Sequence, residues 1–280
     1  MYLKIPIANK NIKYYKEFNH PILIKNGCSD MLAIKKWNIQ YLKEKFKKNK
    51  FEIQYYNNIQ DSETTKMVES KWMTYDEFIN VSHKTTPHFY LAGRDLERHK
   101  DNISGDIFKD IFTETDKYRK PINHLLFIGN NSKSGNHLHG EQDYAINQIY
   151  GKKTVYLYDY YDNNLKLKPI NDYQYNFTKK NLFKLDHNLY KIYKVTLLPG
   201  NTLLIPPWWF HAAECNGVSY SITKTFDRSY NYLLKRPGIL FILCYKGFNY
   251  ITFLIIIIIF YTIFTVLKSF KKKTKKYKMS

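Results

Sequence analysis

A mainly β architecture is what three features of this 280-residue sequence predict: an antiparallel double-sheet jelly roll with flanking N-terminal helices and one C-terminal transmembrane helix. From His124 onward short strand-like runs (HLLFI, NHLHGE, AINQIY, TVYLY, KVTLLP, TLLIP and GVSYSITKTF) are separated by Gly, Asn and Pro turns. Upstream, helical stripes alternate with short apolar strands. From Gly247 to Leu267 the chain reads GFNYITFLIIIIIFYTIFTVL, without a charge. At ~1.5 Å per residue this stretch spans ~31 Å, the thickness of a bilayer's hydrocarbon core.

In chain order, the opening residues lack the long apolar core and small-residue cleavage site of a secretory signal. PILIK reads as a strand. Apolar residues at Trp37, Ile39, Leu42 and Phe46 form a helical stripe among lysines. FEIQYY alternates as a strand does, and Thr74 with Glu77 three positions on fits a capping box at the head of YDEFINV. HFYLAG reads as a strand and DIFKDIF as a short helix before Pro121. In GVSYSITKTF, Val218, Tyr220 and Ile222 alternate with Ser219, Ser221 and Thr223, so one face packs on a core and the other lines a polar interior. Residues 160–190 are polar and poorly patterned, and read as an insertion carrying substrate-contacting loops. The expected organisation is an α/β segment at 1–110 packing on the barrel, a jelly-roll core at 111–228, a linker at 229–246, a transmembrane helix at 247–267 and a basic tail at 268–280.

Three widely spaced cysteines exclude a disulfide framework or zinc knuckle and suit a reducing compartment. The net charge of +20 is uneven, since residues 235–280 hold ten Lys or Arg and no acid. The excess of +10 elsewhere suits nucleic acid, an anionic membrane or an acidic substrate, and equally a solvated lysine-rich surface. The lysines after residue 267 would put that tail in the cytosol by the positive-inside rule. The absence of a signal segment favours the opposite reading, a tail-anchored single-pass protein with its domain facing the cytosol.

Two stretches carry the chemistry: SGNHLHGEQDYAINQIYGKK from Ser134 and PGNTLLIPPWWFH from Pro199. On an extended strand His139 and Glu141 share a face and can grip one metal ion, with His211 as a third ligand. Two imidazoles and a carboxylate leave half an octahedral sphere open, as in non-haem Fe(II) oxygenases. His137 lies on the same face as His139, so a register using His137 and His139 is also open. His-x-Asp/Glu is expected about 0.8 times by chance in this composition. A second copy, His99-Lys100-Asp101, lies in the charged run ERHKDN and reads as solvated surface.

Five segments in order resemble the cupin-like branch of the JmjC family of Fe(II)- and 2-oxoglutarate-dependent dioxygenases: PILIKN with KKWNIQYLKEKF, KWMTYDEFI, the run from LLFIGNN to GEQDY, AINQIYGKKTVYLYD, and PGNTLLIPPWWFHAAE. The resemblance implies a double-stranded β-helix with His139, Glu141 and His211 as iron ligands, though Asp is usual where Glu141 stands. It implies that Lys153, after Gly151, pairs with the distal carboxylate of 2-oxoglutarate, with Asn147, Asn136 and Thr225 as further co-substrate contacts. Fe(II), 2-oxoglutarate and O2 are the implied cofactor and co-substrates. Hydroxylation of a protein side chain is the first expectation; N-methyl demethylation, RNA oxidation and a catalytically silent anchored scaffold are the alternatives.

Overall fold

The computed structural model describes residues 2–8, 18–64, 69–96, 100–107, 121–140, 142–161, 181–227, 259 and 262. Two compact units divide the chain, Met1–Arg228 and Ser229–Ser280. In the second, Ile259 and Thr262 are helical and exposed, and the span expected at 247–267 otherwise lies outside the described residues. Among the described residues no helix is long and apolar enough to cross a membrane.

The first unit is mainly β. Its N-terminal part contributes β1 (Ile7–Ala8), β2 (Ile22–Ile24), α1 (Leu32–Lys36), α2 (Ile39–Lys45), β3 (Lys50–Tyr56), α3 (Ile59–Glu63), β4 (Glu69–Thr74), α4 (Tyr75–Val81), β5 (His88–Asp95) and α5 (Lys100–Ile107). The strands β6 (Asn123–Asn130), β7 (Lys133–His137), β8 (Gln142–Tyr150) and β9 (Lys153–Asp159) follow. After the insertion come β10 (Tyr193–Leu197), β11 (Thr202–Ile205), β12 (Trp209–Glu214) and β13 (Val218–Asp227). They form a nine-stranded sheet, β1-β2-β11-β8-β13-β6-β5-β3-β4, and a four-stranded sheet, β10-β9-β12-β7.

The sheets pack face to face through alternate side chains. Ile146, Leu203 and Ile205 from the larger sheet meet Val155, Leu157, Val195, Leu197 and Trp209 from the smaller. On the outer face of the larger sheet, Leu126, Ile128, Tyr220 and Ile222 are covered by Trp37, Leu42, Phe46, Tyr75 and Phe78 from the helical layer. The expected stripe therefore packs as read, except that Ile39 is exposed. The helix also breaks at Trp37 into α1 and α2, because Asn38 caps the second by accepting from the Tyr41 N–H at 2.9 Å.

Two local devices fix the frame. Thr74 and Glu77 form the expected capping box at the head of α4. Buried Asp106 of α5 accepts from Lys36 (2.9 Å), the Trp37 indole (3.2 Å) and Tyr41 (2.6 Å), tying α5 to α1 and α2. The β8–β9 turn needs glycine: Gly151 has φ +68° and a Cβ there would collide with the Val218 carbonyl. DIFKDIF falls only partly within the described residues, where Asp106 and Ile107 close α5; His99 falls outside them.

Candidate metal and anion site

β7 and β12 are paired antiparallel with His137 directly opposite His211, and β9 places Leu157 on the other side of His211. This register carries two imidazoles into the space between the sheets. His139 lies past the end of β7, in the segment leading to β8, and not on a continuous strand as expected. It is fixed from two sides: its ring stacks on Tyr144 of β8 at 3.7 Å, and its carbonyl accepts the Trp208 backbone N–H at 2.9 Å.

The three rings converge, with centroids 4.2 Å apart for His137 and His211, 5.1 Å for His137 and His139, and 5.3 Å for His139 and His211. One ligand atom from each lies within 4.8 Å of the others. Nδ1 of His137 pairs with the Gly135 carbonyl at 3.0 Å, and Nδ1 of His211 with the Trp209 carbonyl at 3.2 Å. A proton on each Nδ1 leaves Nε2 as the lone-pair donor, the usual way a ligating histidine is oriented. Burial holds all three rings below the ordinary histidine range; His137 adds to this for His139 and His211, which fall well below it. Three neutral imidazoles with convergent lone pairs fit a divalent transition metal such as iron or zinc.

A second polar cluster lies further along the same strands. Lys153 opens β9 on the same face as Val155 and Leu157, four residues or ~13 Å of strand from the position beside His211. Only 6 % exposed, its ammonium donates to Ser221 of β13 and lies 5.3 Å from the centre of the Phe127 ring. Tyr90, buried on β5, packs against Phe127 at 6.4 Å and lies beside Ser134 of β7. Gln148 donates to Ser219 at 2.9 Å, and its buried carbonyl oxygen has no partner among the described residues. Burial pulls the Lys153 ammonium from 10.5 down to about 8, with Cys215 opposing. Among the described residues Lys153 has no carboxylate partner.

The same chain matches the cupin-like domain family over residues 11–232. The chain belongs to the JmjC-like cupin-like domain family. No curated protein matches it.

Within this cupin-like domain the expected site residues separate into those the fold brings together and those it does not. His139 and His211 meet, and the third ring is His137, the register held second in the sequence reading. Glu141 lies outside the described residues. Lys153 faces the interior. Thr225, fully buried, sits opposite Tyr144 and accepts from Asn123 at 3.3 Å, so it belongs to the histidine end. Asn136 is fully buried, and neither of its amide atoms has a partner among the described residues.

Asn147 requires a correction: it points away from the interior. The strand pleat sends Tyr144, Ile146 and Gln148 of β8 inward, while Asn147 sits between Thr202 and Ile222 and accepts from the Thr202 hydroxyl at 2.6 Å. Its inward-facing neighbour is Gln148. Tyr90, Ser134, Ser221 and Gln148 were not singled out; only Ser221 left a signal, in the polar alternation of its strand.

Proposed function

We propose that this cupin-like domain is an Fe(II)- and 2-oxoglutarate-dependent oxygenase that hydroxylates a protein side chain. The supporting observation is the buried Lys153 ammonium, without a counter-ion among the described residues, on the same barrel face as the histidine cluster. A buried cation without an anion is unfavourable, and a bound carboxylate relieves it. Placement of the ammonium and the imidazoles on one face, with an apolar stretch between them, suits a short dicarboxylate held at one end by a metal and at the other by an ammonium. His137, His139 and His211 would hold the metal, and Lys153 with Ser221 would hold the distal carboxylate, with Tyr90 and Ser134 beside them. When bound, iron and 2-oxoglutarate couple O2 to oxidation of a C–H bond, with 2-oxoglutarate leaving as succinate and carbon dioxide. The protein orients the diacid, and Val155, Leu157 and Ile146 keep water from the space between its ends.

The proposal includes a membrane anchor at residues 247–267, supported by their uncharged apolar sequence, with the domain facing the cytosol. Protease protection of the full chain in sealed microsomes or mitochondria tests it: a protected domain would refute the orientation.

Turnover is tested with the full chain, Fe(II), ascorbate and 2-oxoglutarate carrying a 1-14C label, following release of labelled carbon dioxide. Activity that vanishes in His211→Ala supports the reading. A second reading, a cupin-like domain holding zinc as a structural or binding module, is favoured by the all-imidazole set of described ligands. Co-purified zinc with no diacid binding would select it.

A further inference from the structure

Three properties of Trp208 coincide that packing alone does not require. Its backbone φ is +69°, in the left-handed region where a bulky side chain is strained. It is 5 % exposed, and its buried indole nitrogen has no hydrogen-bond partner among the described residues. The protein satisfies its other buried indoles: Trp37 donates to Asp106 at 3.2 Å and Trp209 to the Asn19 carbonyl at 3.1 Å, while Trp72 is exposed. An unpaired buried N–H is unfavourable unless something at work in the site accepts from it.

The position of Trp208 says what that is. Its backbone N–H holds the His139 carbonyl, and its own carbonyl accepts from the Tyr160 N–H at 3.0 Å. The strained backbone therefore links a candidate metal ligand to the exit of β9. The indole packs against Tyr160 at 5.3 Å and Tyr161 at 5.9 Å, rings set at 56° and 54° to it. A lone neutral donor flanked by aromatic faces suits a neutral planar acceptor. A phosphate or carboxylate would call for a cation, and these ring contacts supply none.

We propose that Trp208 determines specificity for the primary substrate, its indole N–H receiving an amide carbonyl of a polypeptide, with Tyr160 and Tyr161 against the amide plane. This rests on the histidine cluster being the catalytic centre. The experiment uses the full chain and an array of synthetic 15-residue peptides centred on each residue type. With Fe(II) and 2-oxoglutarate, succinate formation ranks the peptides. With 15N-labelled tryptophan and zinc in place of iron, the indole resonance absent from Trp208→Phe reports binding.

Peptides that are turned over are expected to move that resonance. For the best of them Trp208→Phe should raise KM by about 5–10-fold, the loss of one neutral hydrogen bond, with a smaller change in kcat. Turnover with an unmoved resonance, or an unchanged KM, overturns the proposal and leaves the oxygenase reading intact. A resonance moved by single-stranded RNA and by no peptide overturns the polypeptide class. Peptides that move it in a protein forming no succinate support recognition by Trp208 and refute the oxygenase.

Discussion

Replacing Lys153 with methionine should make the ligand-free protein more stable and the ligand-bound protein less so. The drop from 10.5 to about 8 corresponds to roughly 3 kcal/mol of unfavourable burial at neutral pH, at 1.36 kcal/mol per pH unit. Methionine fills similar volume without charge but leaves the Ser221 hydroxyl short of a partner, which costs about 1 kcal/mol. The net gain is about 2 kcal/mol, within the range found when buried charges are replaced by apolar groups. In a unit of this size it raises Tm by about 4–8 °C.

The pH dependence has a definite sign. The folded ammonium gives up its proton more readily than the unfolded one, so the penalty is complete below pH 8 and gone above about pH 10.5. The stability of the wild type therefore climbs toward that of Lys153→Met across this window. Raised phenol pKa values, at Tyr56 and Tyr75 among others, affect both proteins alike and cancel in the difference. With zinc present throughout, adding an inert 2-oxoglutarate analogue at 100 times its Kd should stabilise the wild type by about 2.7 kcal/mol and the variant hardly at all, reversing the order. Thermal melts at pH 7, 8, 9 and 10, with and without the analogue, measure both effects. A ligand-free variant that melts below the wild type at pH 7, or a variant that binds the analogue equally well, would refute the counter-ion argument.

Cobalt(II) titration, followed by its visible absorption, separates the two ligand sets. His137→Ala should weaken binding by more than the roughly 10–100-fold typical of outer-shell changes, and Glu141→Gln should have little effect if the three imidazoles are the ligands. Asn147→Ala should lower stability by about 1 kcal/mol through the lost Thr202 bond, and leave the 2-oxoglutarate KM within twofold. Gly151→Ala should destabilise by about 1–3 kcal/mol or more in urea melts, since the left-handed turn and the Val218 carbonyl both oppose a Cβ. Burial alone would raise the Asp106 carboxyl pKa, but bonds from Tyr41, Lys36 and Trp37 hold it below the usual range. Its stabilisation should be complete above the ordinary carboxylate pKa and fade as pH falls through the folded value, so Asp106→Asn should flatten the acid limb of a pH–stability curve.

What could be read from the sequence was what depends on near neighbours. The Thr74–Glu77 box spans four residues, and the alternation of β13 announces a polar inner face before any partner strand is known. The helical stripe was legible because Leu42 of α2 and Phe46 at its C-cap stand one turn apart. Asn147 was misplaced because parity on β8 depends on strands 55 and 75 residues away, Thr202 and Ile222, whose register no local pattern encodes. His139 was read onto a strand that ends two residues earlier, and so His137, opposite His211, went into second place. Tyr90 gave no signal, since its relation to Ser134 is created by packing of β5 against the barrel.

The same geometry divides the work of the site. His137, His211 and Lys153 stand on strands of one four-stranded sheet, with Val155 and Leu157 between the two ends, so their separation is set by backbone hydrogen bonds and an apolar filling. Low polarity there strengthens the field of the ammonium and excludes water, both of which favour a bound dianion. On the far side, Trp37, Leu42, Phe46, Tyr75 and Phe78 hold the helical layer against the larger sheet, and the Asp106 bonds join its helices to one another, leaving that frame little freedom to change the spacing. At the histidine end, by contrast, the left-handed backbone of Trp208 joins His139 to Tyr160. If the proposed function holds, co-substrate binding would reside in rigid strands and substrate choice in the turn beside them, and changes at Tyr160, Tyr161 or Trp208 should alter which peptide is accepted before they alter how the diacid is held.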